Sequence, residues 1–243
     1  MTAWQIFTRQ FITLGGYKIV LQGLLNTVII AVFGLIFGFI LGSIFAVIKT
    51  VPNYKKPFVT VLHRLVDLYV TIIRGTPMVV QLLIIHFVLF PILHIDFKNI
   101  VFGPNFAIQG VVIESIITFA LNSAAYVSEI MRGGINSVDK GQLEAARALG
   151  LSYPKSMLSI VVPQAFKNVL PTLGNEFITL IKETSVVSFI AAVDLTKAFQ
   201  NMANSTYEFI VPYIVLALFY LVLVIIITIL VKLAEKKLKK GER

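Results

Sequence analysis

Ser115, Thr118, Asn122, Tyr126 and Glu129 follow one another at steps of three, four, four and three residues inside an apolar run. On an α-helix these steps draw one continuous polar stripe. Hydroxyl, amide, phenol and carboxylate groups in a stripe offer recognition chemistry, with hydrogen bonds and one charge, rather than bond-making chemistry. No nucleophile–base pairing accompanies them. No Gly-x-x-x-x-Gly-Lys-Ser/Thr phosphate loop occurs, which argues against ATP binding through that motif. His63, His86 and His94 are scattered without metal-ligand spacing and read as isolated packing or interface residues. The absence of cysteine excludes disulfides and thiolate metal sites.

Two further polar groups interrupt apolar runs. Arg74-Gly75-Thr76-Pro77 falls within Phe58–Leu93, where Gly75 and Pro77 break a helix and Pro77 restarts it. A break at membrane depth frees backbone groups that must face protein or a water-filled cavity, whereas the bland alternative has Arg74 ending a short span at the interface. Lys182-Glu183-Thr184-Ser185 lies within the fourth apolar run. Helical neighbours point apart, so Lys182 and Glu183 need other partners, or the helix opens there. Lys182–Glu129 is one expected pair. The candidate pathway residues are then Asn122, Ser123, Tyr126, Glu129, Arg74, Thr76, Gln81, Ser185 and Ser188. Hydrogen bonding between helices is the competing reading of the stripe, and gating or a structural ion pair the competing reading of Glu129.

The elements that position these groups are membrane spans. Hydrophobic residues make up 57% of the 243 residues and charged ones 14%. That balance predicts an all-α membrane protein, with the net charge of +9 placed beside apolar runs rather than on a nucleic-acid face. Five spans are expected, at about 19–48, 58–93 with a break at 74–77, 109–131, 166–193 and 209–231, in a single transmembrane domain over 1–243. Residues 1–18 read as an interfacial segment with Trp4 and Tyr17 as anchors, and show no signal-peptide pattern. Gly34, Gly38 and Gly42 leave one face of the first span bare, for close approach of another helix. Pro91–Gln109, with Gly103, Pro104 and Asn105, and Asp194–Glu208 read as polar loops. The basic tail, Lys232 to Arg243, reads as an anchor on anionic headgroups.

Asp139–Pro163 is the exception in this apolar chain. Asp139 with Gln142 makes a capping-box pattern, strong helix formers follow to Leu149, and Gly150 supplies a left-handed stop. A second start at Ser152 has Pro154 in its first turn, and Pro163 is expected to close it. The pattern predicts a helix–turn–helix outside the bilayer, with small alanines exposed. Placing this loop and the tail on one side puts fifteen Lys and Arg there against four on the other, Arg74 and Lys182 being left out as lying within spans. That bias predicts N-terminus out and C-terminus in.

Glu144-Ala145-Ala146, Gly150 and Ile160-Val161-Val162-Pro163 keep the spacing of the EAA loop of bacterial ABC importer permeases, with Val162 in place of leucine. Leu121–Gly134 and Arg74–Pro77 resemble features of the polar amino-acid branch of that family, of the histidine/glutamine type. The resemblance implies a type I importer permease in a bacterial cell membrane. It also implies a coupling helix between spans 3 and 4 that meets an ATPase through Gln142, Glu144, Ala145, Ala146, Leu149 and Gly150. The implied partners are a cytoplasmic ABC ATPase dimer, a second permease subunit and an external amino-acid-binding protein. ATP and Mg would sit on the ATPase, with no cofactor on this chain, which would not itself be an enzyme. Permeases for other small solutes, ATP-independent carriers or channels, and non-transporting scaffolds remain the alternatives.

Overall fold

The computed structural model describes residues 2–50, 57–101 and 107–239. Pro52, Lys55 and Lys56 of the basic turn, the Gly103-Pro104-Asn105 turn, and Lys240 and Arg243 of the tail lie outside them. The chain opens with α1 (Ala3–Thr8), capped by Thr2 and Gln5 in a reciprocal box and extended by a π-helical turn over Arg9–Thr13. Trp4 is exposed, while Phe7 and Phe11 stack inward toward Phe199.

The long helix α2 (Gly16–Thr50) is the spine. Its glycine face carries the packing: a Cβ on Gly34 would stand 2.9 Å from the Phe119 Cβ, one on Gly38 2.6 Å from the Ser123 Cβ, and one on Gly42 2.7 Å from the Ala124 carbonyl. Only a hydrogen there lets the facing helix come so close.

α3 (Pro57–Arg74) and α4 (Met78–Ile84) meet at an angle of 109°. A π-helical turn over Ile85–Leu89 and the short α5 (Phe90–Ile92) complete this broken pair. The expected loop from Pro91 contains a two-residue antiparallel pairing of β1 (Ile100–Val101) with β2 (Ala107–Ile108). Asn99 Oδ1 then accepts from the Gly110 amide at 2.9 Å, at the start of α6 (Gly110–Asn136).

α7 (Lys140–Ala148) and α8 (Tyr153–Ser156) follow. A π-helical turn over Met157–Val161 leads straight into α9 (Val162–Glu183). Pro163 therefore does not close the second helix, as expected from sequence, but sits in the first turn of the next. The widened turn before it bonds Val162 N–H to the Met157 carbonyl, so the chain carries on through the proline.

After α9 the chain tightens into a 3₁₀ segment, Thr184–Ile190, and turns at Ala191 with φ of 62°. The expected polar loop beyond it is instead α10 (Leu195–Thr206), whose Leu195, Ala198, Phe199, Met202 and Ala203 are buried against α2 and α11 (Ile210–Lys239). Asp194 caps it by accepting from the Thr196 and Lys197 amides.

Among the described residues α2, α6 and α11 are long and apolar enough to cross a membrane, and the α3–α4/α5 pair qualifies as one broken span. α9, with Lys167, Glu176, Lys182 and Glu183 along it, is not counted with them. Large apolar side chains on α2, α3 and α11 point outward, as they do in a multi-pass membrane protein.

Candidate functional site

The break between α3 and α4 is built from backbone upward. Gly75 N–H donates to the Thr71 carbonyl at 2.9 Å, and Thr76 Oγ1 donates to the Ile72 carbonyl at 2.8 Å, ending α3. Pro77, with φ −65° and ψ 141°, turns the chain into α4. The carbonyls freed by the turn are gathered by one side chain: Gln81 Nε2 lies 2.7 Å from the Ile73 oxygen and 2.9 Å from the Thr76 oxygen. Its Oε1 in turn accepts from Asn122 Nδ2 at 2.9 Å. Gln81 and Asn122 are both buried. Thr76, Gln81 and Asn122 are thus brought together as a clasp between the break and α6.

Arg74 is exposed, and its guanidinium lies 5.4 Å from the centre of the Tyr126 ring. Tyr69 of α3 donates to the Leu121 carbonyl of α6 just beside them. Glu176 of α9 interacts electrostatically with both Glu183 and Arg74. The sequence reading missed Glu176; its signal was the seven-residue step to Glu183, two turns along one helix face. Arg74 and Tyr126 thus lie beside the helix break, with the half-buried Glu176 of α9 within electrostatic reach of Arg74.

Other candidates go elsewhere. Ser123 is fully buried against Gly38, with no hydrogen-bond partner for its Oγ. Ser188 is buried and donates to the Ser185 carbonyl at 2.8 Å, within the 3₁₀ segment that packs on α4; Ser185 is half-buried there. Ser115 and Thr118 bond back to their own helix. At Lys182-Glu183-Thr184-Ser185 the helix does change, from α to 3₁₀.

The expected Lys182–Glu129 pair is not formed. Glu129 pairs with Lys49 Nζ at 2.5 Å and with Arg132 Nη2 at 2.7 Å, and Lys49 also reaches Asp67 at 2.7 Å. His86 is not isolated either: its Nδ1 lies 2.5 Å from Glu114 Oε2, joining the turn after α4 to α6. Glu114, Asn122 and Glu129 all lie on α6, eight and seven residues apart, and each meets a partner on another element. Among the described residues no cluster of His, Asp or Glu could hold a metal ion.

The Asp139–Pro163 segment folds as two short helices with an ordered stop between them. Asp139 caps α7 through the Gly141 amide at 2.7 Å, and Gln142 does not reach back but accepts from Gln164 at 3.4 Å. The expected capping box is thus not made. Gly150, at φ +84°, donates to the Arg147 carbonyl, and Leu151 N–H donates to the Ala146 carbonyl. This is a Schellman stop. Ala146 corrects the expectation of exposed alanines: it is 2% exposed and faces the bundle. Gln142, Glu144, Ala145, Ala148, Leu149 and Gly150 form the outer surface.

Residues 38–240 match the family described as "Binding-protein-dependent transport system inner membrane component". The chain belongs to this transport-component family. Among its relatives is the arginine transport system permease protein ArtQ of Bacillus subtilis, 39% identical over 92% of this chain and 94% of that protein. The putative glutamine transport system permease protein GlnP of Rickettsia bellii is also 39% identical, over 90% and 92%. A solved amino acid ABC transporter crystallised with histidines superposes with a TM-score of 0.75 at 34% identity, covering 93% of this chain and 98% of that one. The inward-facing MetNI methionine ABC transporter shares the fold at a TM-score of 0.68 and 19% identity. In this transport component Arg74 and the outer surface of α7 are exposed, whereas the Gln81–Asn122 clasp is buried.

Proposed function

We propose that this chain is the permease subunit of an ATP-driven importer of polar amino acids in a bacterial cytoplasmic membrane. Five spans, with α9 and its 3₁₀ extension as the fourth, set the N-terminus outside and the C-terminus inside, in one permease domain. The observation that carries the reading is the open break at Arg74–Pro77. Its freed carbonyls are held by Gln81, the cation of Arg74 lies over Tyr126 beside it, and the carboxyl group of Glu176 is within electrostatic reach of Arg74. An α-amino acid presents one carboxylate and one ammonium, and a polar surface with both signs at a broken helix meets both. Names of relatives that carry arginine and glutamine support the substrate class.

One such surface is half a path. A second permease subunit, identical or related, supplies the facing wall across a two-fold axis. The outer surface of α7 is the contact for a separate ATPase dimer, which holds ATP and Mg, and an external binding protein delivers the substrate. ATP-driven movement of α7 is passed through α6 and α9, which flank it, to the Arg74/Tyr126 surface, exposing it alternately outside and inside.

The test is reconstitution with the cognate ATPase and binding protein in proteoliposomes, screening the twenty amino acids for stimulated ATP hydrolysis and uptake. Stimulation by a few polar amino acids is expected; a flat response to all twenty rejects the substrate class.

A further inference from the structure

Lys49 lies apart from the Gln81–Asn122 clasp and pairs with carboxylates on two other helices. It sits in the last turn of α2 with a side chain 13% exposed, and its ammonium joins three helices. One leg goes to Glu129 of α6, which is 19% exposed and also held by Arg132; the other goes to Asp67 of α3, which is 58% exposed. The two legs are unequal. The Glu129 leg is shielded and doubly held, whereas the Asp67 leg is open to solvent and screened by salt.

Of the eighteen residues of α3 only Val66 and Val70 are buried, packed with Tyr69 and Ala125, and the Tyr69 hydroxyl donates to the Leu121 carbonyl of α6. The Asp67 leg is a further and weaker tie of this arm to the bundle, on the side that faces solvent. Lys49 also lines a cavity of about 670 Å³ together with Asp139, Lys140, Leu143 and Glu144 of the α7 region. The next residue, Thr50, accepts at its carbonyl from the Tyr153 hydroxyl at 3.3 Å, a direct tie from α8 to the end of α2. A void beside a tie leaves room for α7 and α8 to shift and to pull on the end of α2 as they do.

We propose that Lys49 is a positioning residue that latches α3 in the resting transporter. Movement of α7 and α8 breaks the Asp67 leg and keeps the Glu129 leg, freeing the arm that carries Arg74 to swing. This rests on the permease reading only for the source of the movement; the latch itself is a property of the chain.

The test has two arms. In proteoliposomes of the full transporter, Asp67→Asn raises ATP turnover without binding protein by roughly two- to fivefold, the scale of an exposed ion pair, and leaves stimulated turnover near wild type. Asp67→Glu restores the low basal rate, and raising salt lifts the wild-type basal rate but not that of Asp67→Asn. The chain has no cysteine, so spin labels placed at Ile44→Cys and Leu68→Cys report the α2–α3 distance in the permease alone. Asp67→Asn broadens that distribution and Asp67→Glu does not. An unchanged distribution in Asp67→Asn overturns the latch, as does an Asp67→Glu variant that behaves like Asp67→Asn. A changed distribution with unchanged basal turnover overturns its link to the ATPase. A wild-type assembly without amino-acid-stimulated turnover counts against the permease reading alone, since the label arm needs no ATPase.

Discussion

Gln81 and Asn122 are joined by a 2.9 Å hydrogen bond that ties a helix break to an unbroken helix. The Gln81 amide nitrogen meanwhile covers the Ile73 and Thr76 carbonyls, so one side chain serves both as patch and as link. Backbone groups released by a kink are costly in an apolar surrounding, and this pair accounts for two of them.

Asn122→Leu leaves the buried Gln81 oxygen without its donor, at a cost of about 1–3 kcal/mol. Gln81→Leu uncovers two carbonyls and lowers the melting temperature further. The double variant is expected to fall short of the sum, since both act on one network. Thermal unfolding of the detergent-purified protein measures all three; strict additivity argues that the two residues act separately.

Gly38→Leu and Gly133→Ala are expected to move stability in opposite directions. A Cβ at Gly38 collides with the Ser123 Cβ, so overpacking costs about 1–3 kcal/mol. A Cβ at Gly133 meets nothing within 4 Å, and replacing a helical glycine there gains about 0.5–1 kcal/mol. The same melting assay reads both changes, and a tolerated Gly38→Leu would contradict the close approach of α2 and α6.

Tyr126→Phe keeps the ring under Arg74 and is expected to leave half-saturating substrate concentration nearly unchanged. Tyr126→Leu removes the ring, and a cation–π contact of about 0.5–2 kcal/mol converts to a roughly two- to thirtyfold shift if the positioned guanidinium meets substrate. Uptake titrations in proteoliposomes decide between a role for the ring and one for the hydroxyl.

Gly150→Ala forces a Cβ into the left-handed region at φ +84°, destabilising the stop after α7 by about 1 kcal/mol, while Gly150→Pro also removes the amide that donates to Arg147. Both variants insert normally, and pull-down with the ATPase weakens in the order alanine, then proline. Glu144→Lys, on the outer surface, reduces capture without altering melting. Undiminished capture by all three removes α7 as the docking element.

The positions legible from sequence were those where a local rule decides the structure. The glycines at steps of four, the Gly-Thr-Pro break and the left-handed Gly150 each carry their geometry in their own residue type. Glu129 was legible as a costly charge but not in its partner, because Lys49 lies eighty residues away and only packing brings them together. Glu176 escaped notice since its seven-residue step to Glu183 acquires meaning only from Arg74 across the fold. α10 was mistaken for a loop: seven of its twelve residues are polar, and the five apolar ones, Leu195, Ala198, Phe199, Met202 and Ala203, make a short face. Pro163 was read as a stop because the wide turn that absorbs it leaves no mark in the residues before it.

The exposed Arg74 has a consequence for how cells make this protein. The guanidinium stands exposed on the surface of the single chain, and a cation left facing hydrocarbon is costly. With a second subunit covering this face, as proposed above, the chain is expected to accumulate to a higher level when both are made together than when it is made alone.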